Sequence, residues 1–147
     1  TFIDLHGKSR EMFRRGVVNV FRYLSDDYKT NANEPFRIGR KLVMTYMANK
    51  SFGGGLELNY GGSRDRLNDI DRVVRTLGGM KFTAGALPTS VNQSLKLGAV
   101  HECELYRAKG FKNGNLHFEF LRQDLLDLLN EEIAGHYENT LPDARHA

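Results

Sequence analysis

The sequence predicts an α+β domain: an antiparallel sheet that includes a C-terminal β-hairpin, packed by about three helices. Three segments carry apolar residues at helical spacing, near residues 9–24, 64–77 and 123–137. Between them lie runs that alternate with a period of two, and one pair of these flanks an Asn-Gly dipeptide. At 147 residues the chain reads as one domain, residues 1–147, long enough to bury a core. It begins without Met, which reads as a processed form or an excised part of a longer chain.

The first helix runs from about Ser9 to Leu24. Met12, Phe13, Gly16, Val17, Val20, Phe21 and Leu24 form its apolar stripe, and Arg10, Arg14, Arg15 and Arg22 lie mostly outside it. A polar loop over 25–34 ends at Pro35. Phe36 to Met47 reads as a strand, with Phe36, Ile38, Leu42, Met44 and Tyr46 on one face; a helix from about residue 40 is the competing reading. Ser51 to Gly55 is a glycine-rich loop without the Gly-Lys-Ser/Thr of a phosphate cradle, and Leu56 to Tyr60 makes a short strand.

Ser63 is placed to cap a helix from Arg64 to Leu77, whose buried stripe is Leu67, Ile70, Val73, Val74 and Leu77. Gly78-Gly79 stops it. Asp69 with Arg72 and Asp71 with Arg75 have the spacing of surface ion pairs, each worth about 0.3–0.5 kcal/mol. Asp65, Asp69 and Asp71 scatter around the helix axis, so no metal site is expected of them. A short helix over Thr89–Lys96 follows Pro88. Gln123 to Tyr137 forms the last helix, with Asp124 favourably placed in its first turn.

The hairpin pairs about Glu102–Lys112 with Asn115–Leu121. A two-residue Asn113-Gly114 turn would set Lys112 opposite Asn115, Lys109 opposite Phe118 and Arg107 opposite Phe120. Phe111, Leu116, Phe118, Phe120 and Leu105 would then form the core face. The other face would carry Tyr106, Ala108, Gly110, His117 and Glu119, with small residues leaving room for a substrate. His117 beside Glu119 suits general-base work, and Tyr106 could donate to a developing charge or stack on a base.

Composition bounds the function classes. No apolar run reaches the roughly 18 residues of a membrane span. Cys103 is the single cysteine, which excludes an internal disulfide and fits a reducing cytoplasm. No His pair has helical zinc spacing, so neither metal nor cofactor is expected. Residues 1–83 hold 15 Lys/Arg against 9 Asp/Glu, whereas residues 84–147 hold 6 against 9. A basic half favours a polyanionic partner.

Phe111-Lys112-Asn113-Gly114-Asn115-Leu116-His117, Arg122-Gln123-Asp124-Leu125 and the run Arg64 to Val73 carry a likeness to a known family. So do Phe36 to Lys41, Leu58-Asn59-Tyr60, and His136-Tyr137 with Leu141-Pro142. In these the chain resembles domain-of-unknown-function family 4942, found in bacteria, plasmids and phages. Some members stand beside or are joined to DNA adenine methyltransferase domains, so the resemblance implies work on or near DNA in a mobile element. The chain has neither an Asp/Asn-Pro-Pro-Tyr/Phe motif nor a glycine loop after a clear strand, so it is not expected to be the methylating part itself.

The leading expectation is a DNA-binding accessory domain, with a methyltransferase or other protein as a further partner. Arg10, Arg14, Arg15, Arg37 and Lys41 would contact phosphates, Lys109 and Lys112 would probe a groove, and Tyr60 would stack. A small nuclease or hydrolase built on His117, Glu119 and Tyr106 is the first alternative. A protein–protein assembly domain is the second.

Overall fold

The computed structural model describes residues 11, 13–20 and 38–140. Residues 13–20 are helical and form α1. There follow β1 (Lys41–Met44), β2 (Ala48–Lys50), β3 (Leu56–Leu58), α2 (Gly62–Leu77) and α3 (Ala86–Leu97). The chain continues through β4 (His101–Glu102), β5 (Tyr106–Gly110), β6 (Leu116–Phe120) and α4 (Gln123–Thr140). Four strands form an antiparallel sheet in the order β1-β6-β5-β4, and β2 and β3 form a separate antiparallel pair. The architecture is α+β, with the expected C-terminal hairpin in the sheet.

That hairpin has a different reversal from the one its Asn-Gly suggests. A two-residue type I′ loop needs positive φ at both central residues. Gly114 has it, at φ 94°, and Asn113 does not. Gly114 N–H donates to the Phe111 carbonyl, and Phe111 N–H donates to the Asn115 carbonyl, each at 2.9 Å. The loop is therefore three residues, Lys112 to Gly114, with glycine at the left-handed position. The Asn113 side-chain oxygen accepts from Asn115 N–H at 3.1 Å, which stabilises this turn instead.

The change slips the register by one residue. Gly110 pairs with Leu116, Lys109 with His117, Ala108 with Phe118, Arg107 with Glu119 and Tyr106 with Phe120. Since side chains alternate, β5 is inverted relative to the expectation. Tyr106 and Ala108 face the core, whereas Arg107 and Lys109 share the outer face with His117 and Glu119. Phe111 moves from the predicted core face to a half-buried position against His117.

The core face of the sheet gathers Leu42, Met44, Tyr106, Ala108, Leu116, Phe118 and Phe120, all buried. Tyr106, Phe118 and Phe120 form a ring cluster with centroids 5.0–6.1 Å apart, within the favourable range for tilted and edge-on aromatic pairs. The stripes of α2 and α4 bury Leu67, Ile70, Val73, Val74, Leu125, Leu126, Leu129 and Ile133 in the same core, and α2 packs against both α3 and α4. Val17 and Val20 of α1 join it, with Gly16 against Val73.

Three local readings change. The strand predicted over Phe36–Met47 is cut at Met44, because Tyr46 takes φ 58° and breaks the alternation. Tyr46 is exposed, while Met47 and Ala48 turn inward and donate to the Gly114 carbonyl at 2.9 and 3.1 Å. Ser63 does not cap α2: Gly61 is the N-cap, and the buried Ser63 hydroxyl reaches the Tyr46 carbonyl instead. Asp71 is not a surface partner of Arg75 but a buried carboxylate that accepts from Arg75 at 2.8 Å and from the Tyr106 hydroxyl at 3.0 Å. The stripe of α2 predicted this helix correctly, but its pattern did not reveal that a sheet tyrosine would meet its acid.

Two buried asparagines finish the sheet margins. Asn130 of α4 accepts from Ile38 N–H at 2.6 Å and donates to the Ile38 carbonyl at 3.0 Å. Asn92 of α3 accepts from Leu58 N–H at 2.8 Å. Each satisfies backbone groups that burial would otherwise leave unpaired.

Two outcomes follow from this packing. Gly114→Ala should cost about 1–2 kcal/mol in urea unfolding, the usual penalty for a side chain in left-handed backbone, with its Cβ 3.1 Å from the Ala48 carbonyl oxygen adding to it. Tyr106→Phe should lose about 1.5–3 kcal/mol, the range for a hydrogen bond to a charged group. Burial first, then the Asp71 carboxylate, push the Tyr106 hydroxyl well above its ordinary value of 10.0. The unfolded chain therefore releases that proton first. The stabilisation is full below pH 10 and declines as the pH climbs above it, so the alkaline loss of stability should be smaller in Tyr106→Phe.

Candidate nucleic-acid interface

With the described helices on its core side, the four-stranded sheet keeps one face open. Lys41 and Val43 of β1, His117 and Glu119 of β6, and Arg107 and Lys109 of β5 occupy it. Lys41, Arg107, Lys109 and His117 are exposed; Glu119 lies half-buried among them. The Glu119 carboxylate stands 3.5 Å from both the Arg40 and the Arg107 guanidinium. Arg107 also holds Glu102 at 2.9 Å, which together with Glu119 keeps its guanidinium more firmly protonated than usual. Two carboxylates, Glu119 and Glu102, thus answer two arginines, and the positive charge left over on this face is that of Lys41 and Lys109.

The proposed catalytic trio is not assembled. His117 and Glu119 do share a face, but the glutamate engages arginines, and the imidazole packs on the Phe111 ring at 4.2 Å between centroids. Tyr106 lies on the opposite side of the sheet, fully buried against Asp71. Gly110 follows Tyr106 and Ala108 to the side of the sheet away from the pair, so it opens no space over them. A Cβ there would meet the Leu95 and Leu56 side chains, and the protein's own leucines pack against it.

The hairpin turn carries Lys112, exposed at its tip. Beside it runs the segment that leaves β1, anchored by the two amides that bind the Gly114 carbonyl. That segment displays Tyr46, and the Asn59 side chain donates to the Tyr46 carbonyl at 2.8 Å, so Tyr60 stands in the adjoining loop. Tyr46 and Tyr60 are 85% and 91% exposed, which leaves both rings free to stack on something. The β2–β3 hairpin adds Lys50 and, at its turn, a wholly exposed Phe52. This turn repeats the geometry of the other: Gly54 N–H donates to the Ser51 carbonyl and Ser51 N–H to the Gly55 carbonyl.

Among the described residues no carboxylate lies within ion-pair distance of Lys41, Lys50, Lys109 or Lys112. Lys109 Nζ lies 5.2 Å from the Phe111 ring centre, a cation–π contact that leaves the charge open to an anion. Of the other predicted contacts, Arg14 and Arg15 are exposed on α1, where Arg15 pairs with Glu11 at 3.0 Å. Their neighbour Gly16 packs against Val73 of α2. Arg10 and Arg37 lie outside the described residues. Arg40, Tyr46, Lys50 and Phe52 were not singled out by the sequence. A ring set between Ser51 and three glycines was the signal for Phe52; nothing foretold that Tyr46 would leave its strand face.

Among the described residues no three His, Cys, Asp or Glu side chains cluster as a metal site would require. His101 has a buried Nε2 that finds no hydrogen-bond partner among the described residues, and desolvation lowers its pKa below the usual imidazole range. No helix among these residues is long and apolar enough to cross a membrane. No curated protein and no solved structure matches the chain. A family model does: it is described as Domain of unknown function (DUF4942), it matches residues 1–139, and the chain belongs to that family.

Proposed function

We propose that the domain binds nucleic acid, DNA above all, as an accessory module of a cytoplasmic DNA-modification or mobile-element system. One observation carries the reading. Lys50, Lys109 and Lys112, none held by a carboxylate among the described residues, gather where the β2–β3 hairpin carrying the exposed Phe52 meets β5. The exposed rings of Tyr46 and Tyr60 stand in the connections tied to the β5–β6 turn, with Lys41 exposed on β1. Lysines not neutralised by a carboxylate displace counterions from a phosphate backbone, and every base offers a face on which an aromatic ring can stack. The resemblance to proteins that stand beside DNA adenine methyltransferase domains supports DNA as the polymer and such an enzyme as a protein partner.

Glu119 sets the strength of the interaction. It draws Arg40 and Arg107 together and keeps part of their charge from the incoming phosphates. The lysines supply the remainder, so binding is salt-sensitive and largely independent of sequence.

The test is a salt titration of binding to DNA. The logarithm of affinity should fall against that of salt with a slope near −3 to −4, as about four phosphate contacts require. Lys109→Ala combined with Lys112→Ala should shallow that slope by about 2. Absence of binding at low salt would overturn the function. Glu119→Gln should tighten binding about fivefold, the effect of removing roughly 1 kcal/mol of charge repulsion in water; unchanged or weaker binding would place the polymer elsewhere.

A further inference from the structure

A cleft of about 550 Å³ opens where the β2–β3 hairpin, the C-terminal end of α3 and the far end of β5 meet. Leu56, Leu95 and Gly110 make its apolar floor, and Phe111 forms one wall. Lys50, Lys109 and Lys112 stand around it, and among the described residues no carboxylate lines it. Its volume falls in the range of small-molecule and cofactor sites, far larger than an ion requires.

Two constraints narrow what could enter. The lining is mostly carbon, so the part that goes in must be flat or compact and largely apolar. The surroundings are cationic and unpaired, so what stays at the mouth must be anionic. A nucleobase inside, with sugar and phosphates at the rim, meets both. In duplex DNA the base is stacked and paired and cannot reach such a recess. A single strand can turn one out at small cost, and exposed rings next to a basic track are how sequence-tolerant single-strand binders hold their neighbours.

Resting on the nucleic-acid reading above, we propose that this cleft receives an unstacked base of a single-stranded segment, with Lys50, Lys109 and Lys112 on the flanking phosphates. The domain then prefers single strands to duplex. Phe52, at the turn between the cleft-lining Ser51 and Gly54, stacks on an adjacent base.

Ala99 lines the cleft and is exposed on the protein surface, so Ala99→Trp fills the recess without touching a charge or the core. Fluorescence anisotropy would compare an oligothymidine, a duplex with the same number of phosphates, and thymidine monophosphate as competitor. The native protein should bind the single strand roughly tenfold tighter than the duplex, the scale of one base stacked on an aromatic side chain. Ala99→Trp should remove that advantage while leaving duplex binding and its salt slope unchanged. Equal affinity for both forms in the native protein, or a single-strand preference that survives the substitution, would overturn the cleft's role and leave general nucleic-acid binding in place. Binding of the mononucleotide as tight as that of the oligomer would overturn the strand as occupant. Failure of every nucleic acid to bind would instead remove the underlying function.

A second measurement on the native protein needs no variant. Photocrosslinking of a 4-thiothymidine oligomer should mark the peptides holding Val100 or Phe111. Crosslinks confined to other peptides would overturn the proposal.

Discussion

Gly114 is the point on which the rest of the molecule turns. Its left-handed backbone closes a three-residue loop, and its carbonyl receives the amides of Met47 and Ala48. The first interaction fixes the register of β5 on β6 and so decides which residues look inward. The second ties the exit of β1 to the same turn and sets where β2 starts. A side chain at this position would disturb both at once, because its Cβ would approach the very segment that the carbonyl anchors. Sheet register and placement of the aromatic segment are therefore one constraint.

The two faces of the sheet that this register creates do different work. Inside, a tyrosine hydroxyl donates to a buried carboxylate that also accepts from Arg75, so β5 and α2 are joined by polar contacts as well as by area. An unpaired carboxylate at that depth would be costly, and the two donors are what make it tolerable. Outside, alternation has to put something between the core residues, and the chain uses Lys41, Arg107, Lys109 and His117 there. Excess positive charge on one surface works against the compact state through mutual repulsion. Glu119 relieves part of it by lying between two arginines.

Much of the fold was readable in the sequence, because helix stripes and strand alternation both report which residues meet the core. The stripes of α2 and α4 and the β6 alternation are plain in the chain, and Gly78-Gly79 ends α2 as its composition suggests. The site was less readable. Asn-Gly is compatible with more than one loop length, and a single residue of loop inverts a whole strand, so Tyr106 exchanged the surface for the interior. Tyr46 left its strand face through a backbone angle that no side-chain pattern encodes. The basic residues of the sheet were legible as charge; their assembly with Lys50 and Phe52 depends on how β2 and β3 fold back, which is a tertiary matter.

The asparagines at the sheet margins carry a consequence of their own. Asn130 supplies Ile38 with both a donor and an acceptor, as a neighbouring chain would, and Asn92 does half as much for Leu58. The strand on the far rim, β4, is only two residues long. An open rim invites a stray extended peptide or another molecule of the same kind to continue the ladder, the usual route to fibrils and unwanted oligomers. At β4 brevity denies that template, and on the outer side of β3 the Asn92 amide already occupies the Leu58 N–H that a further strand would need. At those two places the domain offers an extended peptide little ladder to continue, while its cationic face stays on display.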